Sequence, residues 1–596
     1  MSPRRPVRIA SFSGGMGDRF AAFKEAVHGE PVDALIGDSM TEFIESMMTA
    51  RFIDEPEKHR EFFSPLFVAQ LLPELPAVAE KKLKIVTNAG VHAPLALAEK
   101  IRDAVRTGGL DLRVAGVTGD DLYAEVDRLA AEGQLVNTDT GESLDTDERH
   151  VLAADAYLGA WGVKSALDAG ADIVITGRVA DASLISGVAA WWHGWGRDEL
   201  DRIAGAVAAG HIIECGAQAT GGNFTGFTAV PGIVVPGFPI AEVADDGDCV
   251  ITKRAGEGGM VTVDTVTAQL VYEIQGPRYL NPDVTWHTDS VTVTQEGPDR
   301  VRVSGAKGSA PVETTRVGMH LRAGYRGSMW YFATGLQIDE KVEVLRRQAE
   351  LAAGEARVRK LRLFVCGRAV EDPADQWQAT VPVKVTVAAA TAAQVEAFVA
   401  QLNSYWLGGF PGFYTEITQI FADSAQARID YWPGLVRQDS LRHQAHLPDG
   451  RVVDIPPPSG TRPYGGQPAG TRTPPADLAS FGPTVRRPLG HVVHARVGDK
   501  AGNANLGFWV SQDDAYPWLL SFLTTDRLVE LLASPTATTV ERYELPKLRG
   551  LCFVLQGYLG PSSSAGLSLD QLGKSLGEFL RARHVDVPVS LLPARS

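Results

Sequence analysis

The run ADIVITGRVADASL (171–184) sets Arg178 three residues before Asp181, between Thr176 and Ser183. A guanidinium stays charged and can clasp a carboxylate or phosphate through two parallel hydrogen bonds. Arg178 is therefore read as holding a substrate anion, with Thr176 and Ser183 as further contacts and Asp181 as an acid–base group. The plainer alternative is a structural Arg178–Asp181 pair with Ser183 capping the next helix. GDSMTEF (37–43) offers Asp38 and Glu42, four apart and on one helix face. Paired carboxyls divide acid and base roles when their surroundings push their pKa values apart. TNAGVHAP (87–94) brings Asn88 as a donor to a carbonyl oxygen and His92 as a general base; the alternative is a turn-forming Asn and a solvent His. In HIIECGAQATGGNF (211–224), Glu214 is read as a proton carrier and Asn223 as a substrate contact. Its HxxE spacing lacks a third zinc ligand, and Cys215, with no activating cation, reads as a small buried residue.

Two glycine-rich stretches join this set. SGGMGDRF (13–20) invites a phosphate-loop reading, but it matches neither GxGxxG nor a Walker loop. Asp18 can occupy the same backbone donors, so Ser13 and Arg19 remain as binding candidates. HARVGDKAGNANLGFWV (494–510) gathers His494, Arg496, Lys500 and Asn503 around glycines and is read as a binding loop, against a polar hairpin.

These residues need elements to place them. Strand-like runs at VRIASF, VDALIG, KLKIVT, LRVAGV and ADIVIT alternate with helical patterns, which predicts a parallel α/β sheet. Ligands bind such sheets outside the carboxyl ends of the strands, where four polar loops fall together. The main domain is placed at 1–454, with the α/β core at about 1–225 and a continuous α+β region at about 226–454, where GMVTVDTVTAQLVYEI reads as β-rich. A Pro/Gly-rich linker follows at 455–487, then a small two-layer α+β domain at 488–596.

Composition narrows the function. The 596 residues carry a net charge of −15, which argues against a nucleic-acid groove. The apolar runs are too short to span a bilayer and no secretory signal is read at the start, so a cytoplasmic protein without a membrane partner is expected. Four cysteines with no CxxC pair argue against a disulfide framework or structural zinc.

SGGMGDR, TNAGVHAP, ADIVITGRVADASL, HIIECGAQATGGNF, GFPIAEV, HARVGDKAGNANLG and RYELPKLRGLCFVLQG together resemble the acyclic terpene utilisation AtuA family along nearly the whole chain. The N-terminal loop is richer in glycine than the family pattern. The resemblance implies a bacterial catabolic protein acting on branched terpenoid acids or their coenzyme A thioesters, and it carries over no catalytic residues. The reading is a lyase that adds or removes water or cleaves a carbon–carbon bond, working as a homo-oligomer. Arg178 holds the anion, Glu214 or His92 moves the proton, and Asn88 steadies an enolate-like oxygen. No nicotinamide, flavin or pyridoxal signature is present, so no cofactor is assigned beyond coenzyme A as part of the substrate. No metal ligands are assigned and a divalent ion is left open. A hydrolase of a thioester, lactone or amide and a non-catalytic acyl-binding subunit are the alternatives; the hydrolase lacks a GxSxG elbow.

Overall fold

The computed structural model describes residues 4–416, 425–469, 472–533 and 539–592. Its largest sheet is built around five parallel strands. β1 (Val7–Gly14), β2 (Ala34–Asp38), β3 (Lys84–Thr87) and β4 (Val114–Thr118) are joined by a strand from later in the chain. β5 (Val151–Ala156) leaves this sheet, and β6 (Ile173–Thr176) inserts between β3 and β4. The parallel order is thus β1-β2-β3-β6-β4. Strands covered on both faces lose the in–out alternation of a one-sided sheet. All five residues of β2 and all four of β6 are buried accordingly.

Antiparallel strands from the second region extend both edges. Pro239–Val243 and Cys249–Lys253 lead from β1 to the hairpin Thr292–Gly297/Arg300–Ser304, and Gln444–His446 pairs with β4. The regions 1–225 and 226–454 therefore share one sheet. β5 instead pairs with the long strand Thr314–Thr334, the centre of a second sheet with Gln426–Arg437 and Thr380–Ala389. One expectation is corrected: within GMVTVDTVTAQLVYEI, Val263–Leu270 is an α-helix. Thr262 and Thr265 form a reciprocal cap at its start, and burial of Thr265 to Leu270 outweighs its β-branched composition.

From Pro456 to Gly482 the chain runs exposed, with one short 3-10 turn at Leu478–Phe481; Gly470 and Thr471 lie outside the described residues. Regular structure begins again at Thr484–Pro488, which pairs with His584–Pro588, four residues before the expected boundary. The C-terminal module is a four-stranded antiparallel sheet in the order His494–Lys500, Asn503–Trp509, Gly550–Leu555, Val540–Leu545. Alternation along these strands gives it two apolar faces. Val497, Leu506, Phe508, Leu551 and Phe553 face the module's own helices. Trp509, Tyr543, Leu545, Cys552 and Val554 join the core of the main domain. The contact is close enough to require glycine: a Cβ on Gly507 would lie 2.3 Å from Val271 Cγ2, and one on Gly498 2.2 Å from Glu273 Cγ.

Candidate functional site

The carboxyl ends of β1, β2, β3 and β6 do converge. Ser13, at the end of β1, donates its hydroxyl to the Asp38 carbonyl at 2.9 Å. Asp38, the last residue of β2, accepts at Oδ1 from Met40 N (2.9 Å) and from Asn88 Nδ2 (2.6 Å), while Asn88 Oδ1 accepts from Ser39 N. Both Asn88 groups are thus committed to fixing the β2 turn and the Asp38 carboxyl. Burial first, then the charge of Asp181, raises Asp38 to about 7, against the pull of Arg178 and Asn88.

Arg178 follows β6 and is only 2% exposed. Its backbone N–H donates to Asp120 Oδ2 at 2.5 Å, and Nη1 donates to the Met40 carbonyl at 2.6 Å and lies 3.0 Å from Asp181 Oδ1. Nε faces Glu45 Oε1 at 3.6 Å, and the Tyr157 ring lies under the guanidinium at 4.0 Å. This corrects the expected substrate clasp. The guanidinium is internal and braces the β2 and β6 loops against each other, as in the plainer alternative, although Ser183 makes no cap. Ser183 instead accepts from Asn281 Nδ2, and Thr176 donates to the Gly177 carbonyl.

Lys500, at the tip of the module's first hairpin, enters the same centre. Its Nζ is 2.6 Å from Glu273 Oε2, and its charge acts on Asp181 and Glu214. Burial would lower the Lys500 ammonium, but Glu273, Glu42 and Asp181 hold it well above its ordinary value. The hairpin is pinned by Ala501 N donating to Glu42 Oε2 at 3.0 Å, with Ala501 at φ 52°, and by Asn503 Nδ2 donating to Asp139 Oδ1. Glu214 closes the centre at the end of helix Leu200–Ile213, 3.4 Å from His211 Nδ1. Burial, then Asp181 and Asp38, pushes Glu214 well above its ordinary value. Asp181 and Lys500 keep side-chain exposures of 19% and 22%, while Asp38 and Glu214 are buried.

A family model described as acyclic terpene utilisation family protein AtuA matches residues 7–447, and one described as AtuA ferredoxin-like domain matches residues 487–586. The chain belongs to the AtuA family. Neither a curated protein nor a solved structure matches it. Among the described residues, no helix of this AtuA protein is long and apolar enough to cross a membrane.

Other expected residues of the AtuA chain lie elsewhere. Arg19 pairs with Glu25 at 2.5 Å and packs over Phe238, while Asp18 turns back to accept from Gly14 N. Asn223 is an exposed turn residue at φ 57°. His494 stacks on Phe224 and Trp509 and bonds to Thr225 and Ser511, so it cements the module seam. Arg496 lies over the Tyr272 ring and donates to Gln218 across the same seam. His92 is a buried residue: its Nδ1 is 3.4 Å from Asp155 Oδ1 and its ring packs on His59. Against burial, Asp155 raises it to about 9.

Sequence reading missed Glu45, Asp120, Asp155, Glu273, His320 and Lys574. Asp120 carried a usable signal, since TGDD directly follows β4 as TGR follows β6. Glu273 and Lys574 are 301 positions apart in sequence and meet at 3.5 Å only because the module docks. Glu45, Asp155 and His320 are spaced so that a metal ion could lie among them.

Proposed function

We infer that this AtuA protein is a lyase that removes or adds water, or cleaves a carbon–carbon bond, on a branched carboxylic acid or its coenzyme A thioester. The observation that carries the reading is that Asp38, Asp181, Glu214 and Lys500 lie near enough to act on one another's charge, with Asp181 and Lys500 partly exposed. Asp38, at about 7, is poised to take and return a proton near neutral pH, where a general base works best. Glu214, whose acidity burial weakens, is suited to give one. In the dehydration direction, the carbon–hydrogen bond beside the carbonyl breaks and its proton passes to Asp38. The electron pair becomes the new double bond. The departing hydroxyl takes the Glu214 proton and leaves as water. Lys500 supplies positive charge for a carboxylate or for the enolate-like oxygen, a role the sequence reading gave to Arg178 and Asn88. The family description, acyclic terpene utilisation, is the ground for taking the substrate from the breakdown of branched terpenoids.

The test incubates the full chain with branched 3-hydroxyacyl and 2-enoyl coenzyme A thioesters and the free acids, followed by mass spectrometry. A mass change of one water, or release of a carbon fragment, supports the reading. Free coenzyme A with the acyl carbons intact assigns a hydrolase. Tight binding without turnover across the series assigns an acyl-binding subunit.

A further inference from the structure

Beside Arg178 lies a polar cluster that the lyase reading does not use. One carboxylate oxygen each from Glu45 and Asp155 and one ring nitrogen of His320 lie within 4.8 Å of one another, and all three residues are buried. They come from three elements: the helix Glu42–Arg51, β5, and the long strand that pairs with β5. Hydrogen bonding places one proton on the His320 ring, at Nδ1. Ser46 has one hydroxyl proton and gives it to the Glu42 carbonyl at 2.8 Å. Its Oγ, 3.2 Å from His320 Nδ1, therefore accepts from an Nδ1–H. A neutral ring then points the lone pair of Nε2 at Glu45 Oε2, 3.4 Å away. Two acceptors facing each other at that range repel unless positive charge lies between them. Asp155 Oδ2 is buried with no hydrogen-bond partner, and so is Glu45 Oε1, which faces Arg178 Nε at 3.6 Å.

We propose that Glu45, Asp155 and His320 bind one divalent first-row transition-metal ion. An imidazole with two carboxylates and no thiolate suits zinc, manganese or iron(II) better than calcium or magnesium, which take oxygen ligands. Two ligand atoms each about 2.1 Å from a tetrahedral ion are about 3.4 Å apart, which is the separation of His320 Nε2 and Glu45 Oε2. The Asp155 oxygen lies within 4.8 Å of both, so a closing movement of at most about 1.4 Å brings it into the same sphere. Ser46 supplies the outer hydrogen bond that metal-ligating histidines make through their second nitrogen. His92 holds Asp155 at Oδ1 and leaves Oδ2 for the ion. The ion would pin helix and strands at one point beside the Arg178 guanidinium. Its binding is read without substrate, so its failure and that of the lyase reading are separable.

The full chain is purified without chelator on a metal-free resin. Elemental analysis is expected to return one zinc, manganese or iron per chain. After dialysis against a chelator, titration with Co²⁺ should produce visible d–d absorption with a one-to-one end point. His320→Cys should keep cobalt and add a thiolate-to-cobalt charge-transfer band, which a purely structural histidine would not produce. Asp155→Asn and Glu45→Gln should lose the ion. Ser46→Ala, a mild change, should weaken it by about 10–100-fold. Should the ligand variants fail to fold, the wild-type chain decides: added Co²⁺ must raise its melting temperature. A folded wild-type chain with only trace divalent metal, no cobalt absorption and an unchanged melting temperature overturns the proposal and leaves His320 as an imidazolium paired with Glu45.

Discussion

Two loops rich in charge and glycine, TGRVADAS after β6 and the hairpin tip GDKAGN of the module, meet at the same centre but find partners differently. Arg178 finds its partners, Met40, Asp181 and Glu45, inside the main domain. Lys500 finds its partner, Glu273, only across the seam, and stays in reach of solvent. The first cation is enclosed within one domain, while the second pairs across a joint and keeps part of its side chain exposed. A charged residue at a strand's carboxyl end is thus no guide to function until its partners are known.

The sharpest break in that contrast is Arg178→Met. It leaves Glu45 and Asp181 buried beside no guanidinium, and should cost about 3–5 kcal/mol in denaturant unfolding, the usual result of removing one partner of a buried pair. Gly507→Val strikes the seam instead. Its Cβ meets Val271 at 2.3 Å, so the module should sit poorly, with about 1–3 kcal/mol lost and faster protease cleavage between Pro456 and Pro475. Lys500→Met should do the opposite of Arg178→Met. Lys574 remains 3.5 Å from Glu273, so the melting temperature should hold while turnover falls about 100-fold. Equal stability losses for Arg178→Met and Lys500→Met would erase the distinction between the two cations.

Acidity sharpens the comparison further. Between its ordinary value of 3.8 and about 7, folded Asp38 keeps a proton that the unfolded chain has released. The group's contribution to stability therefore falls as pH rises through that window, by at most about 1.4 kcal/mol per pH unit. Stability of the wild type relative to Asp38→Asn, followed by urea unfolding from pH 4 to 7, should decline by such a slope. A flat difference would mean that Asp38 titrates normally. The smallest effect is expected at Arg19→Ala, which removes only a partly exposed pair with Glu25, about 0.2–1 kcal/mol, and leaves turnover unchanged.

The parallel strands and the strand-end loops were legible because period and glycine placement are local signals. The convergence of Ser13, Asp38, Asn88 and Arg178 follows from them directly. The direction of each side chain was not legible. Whether Arg178 turns inward depends on Glu45 and Tyr157, which the sequence does not mark as neighbours. His494 looked like a binding residue because polar residues crowd its hairpin, yet it stacks on Trp509 of the neighbouring strand and on Phe224, which only docking supplies. The helix Val263–Leu270 read as strand because six β-branched or similarly apolar residues outweighed a two-residue cap in the pattern.

The exposed stretch from Pro456 to Gly482 makes the assembly of the seam a unimolecular event. A covalent tether of this length keeps the module at an effective concentration on the order of millimolar. Cutting it would leave the module's apolar wall of Trp509, Tyr543 and Val554 in place, but would turn docking into a bimolecular equilibrium. The nicked protein would then acquire a property the intact chain lacks: on dilution Lys500 would depart, and specific activity would fall with protein concentration.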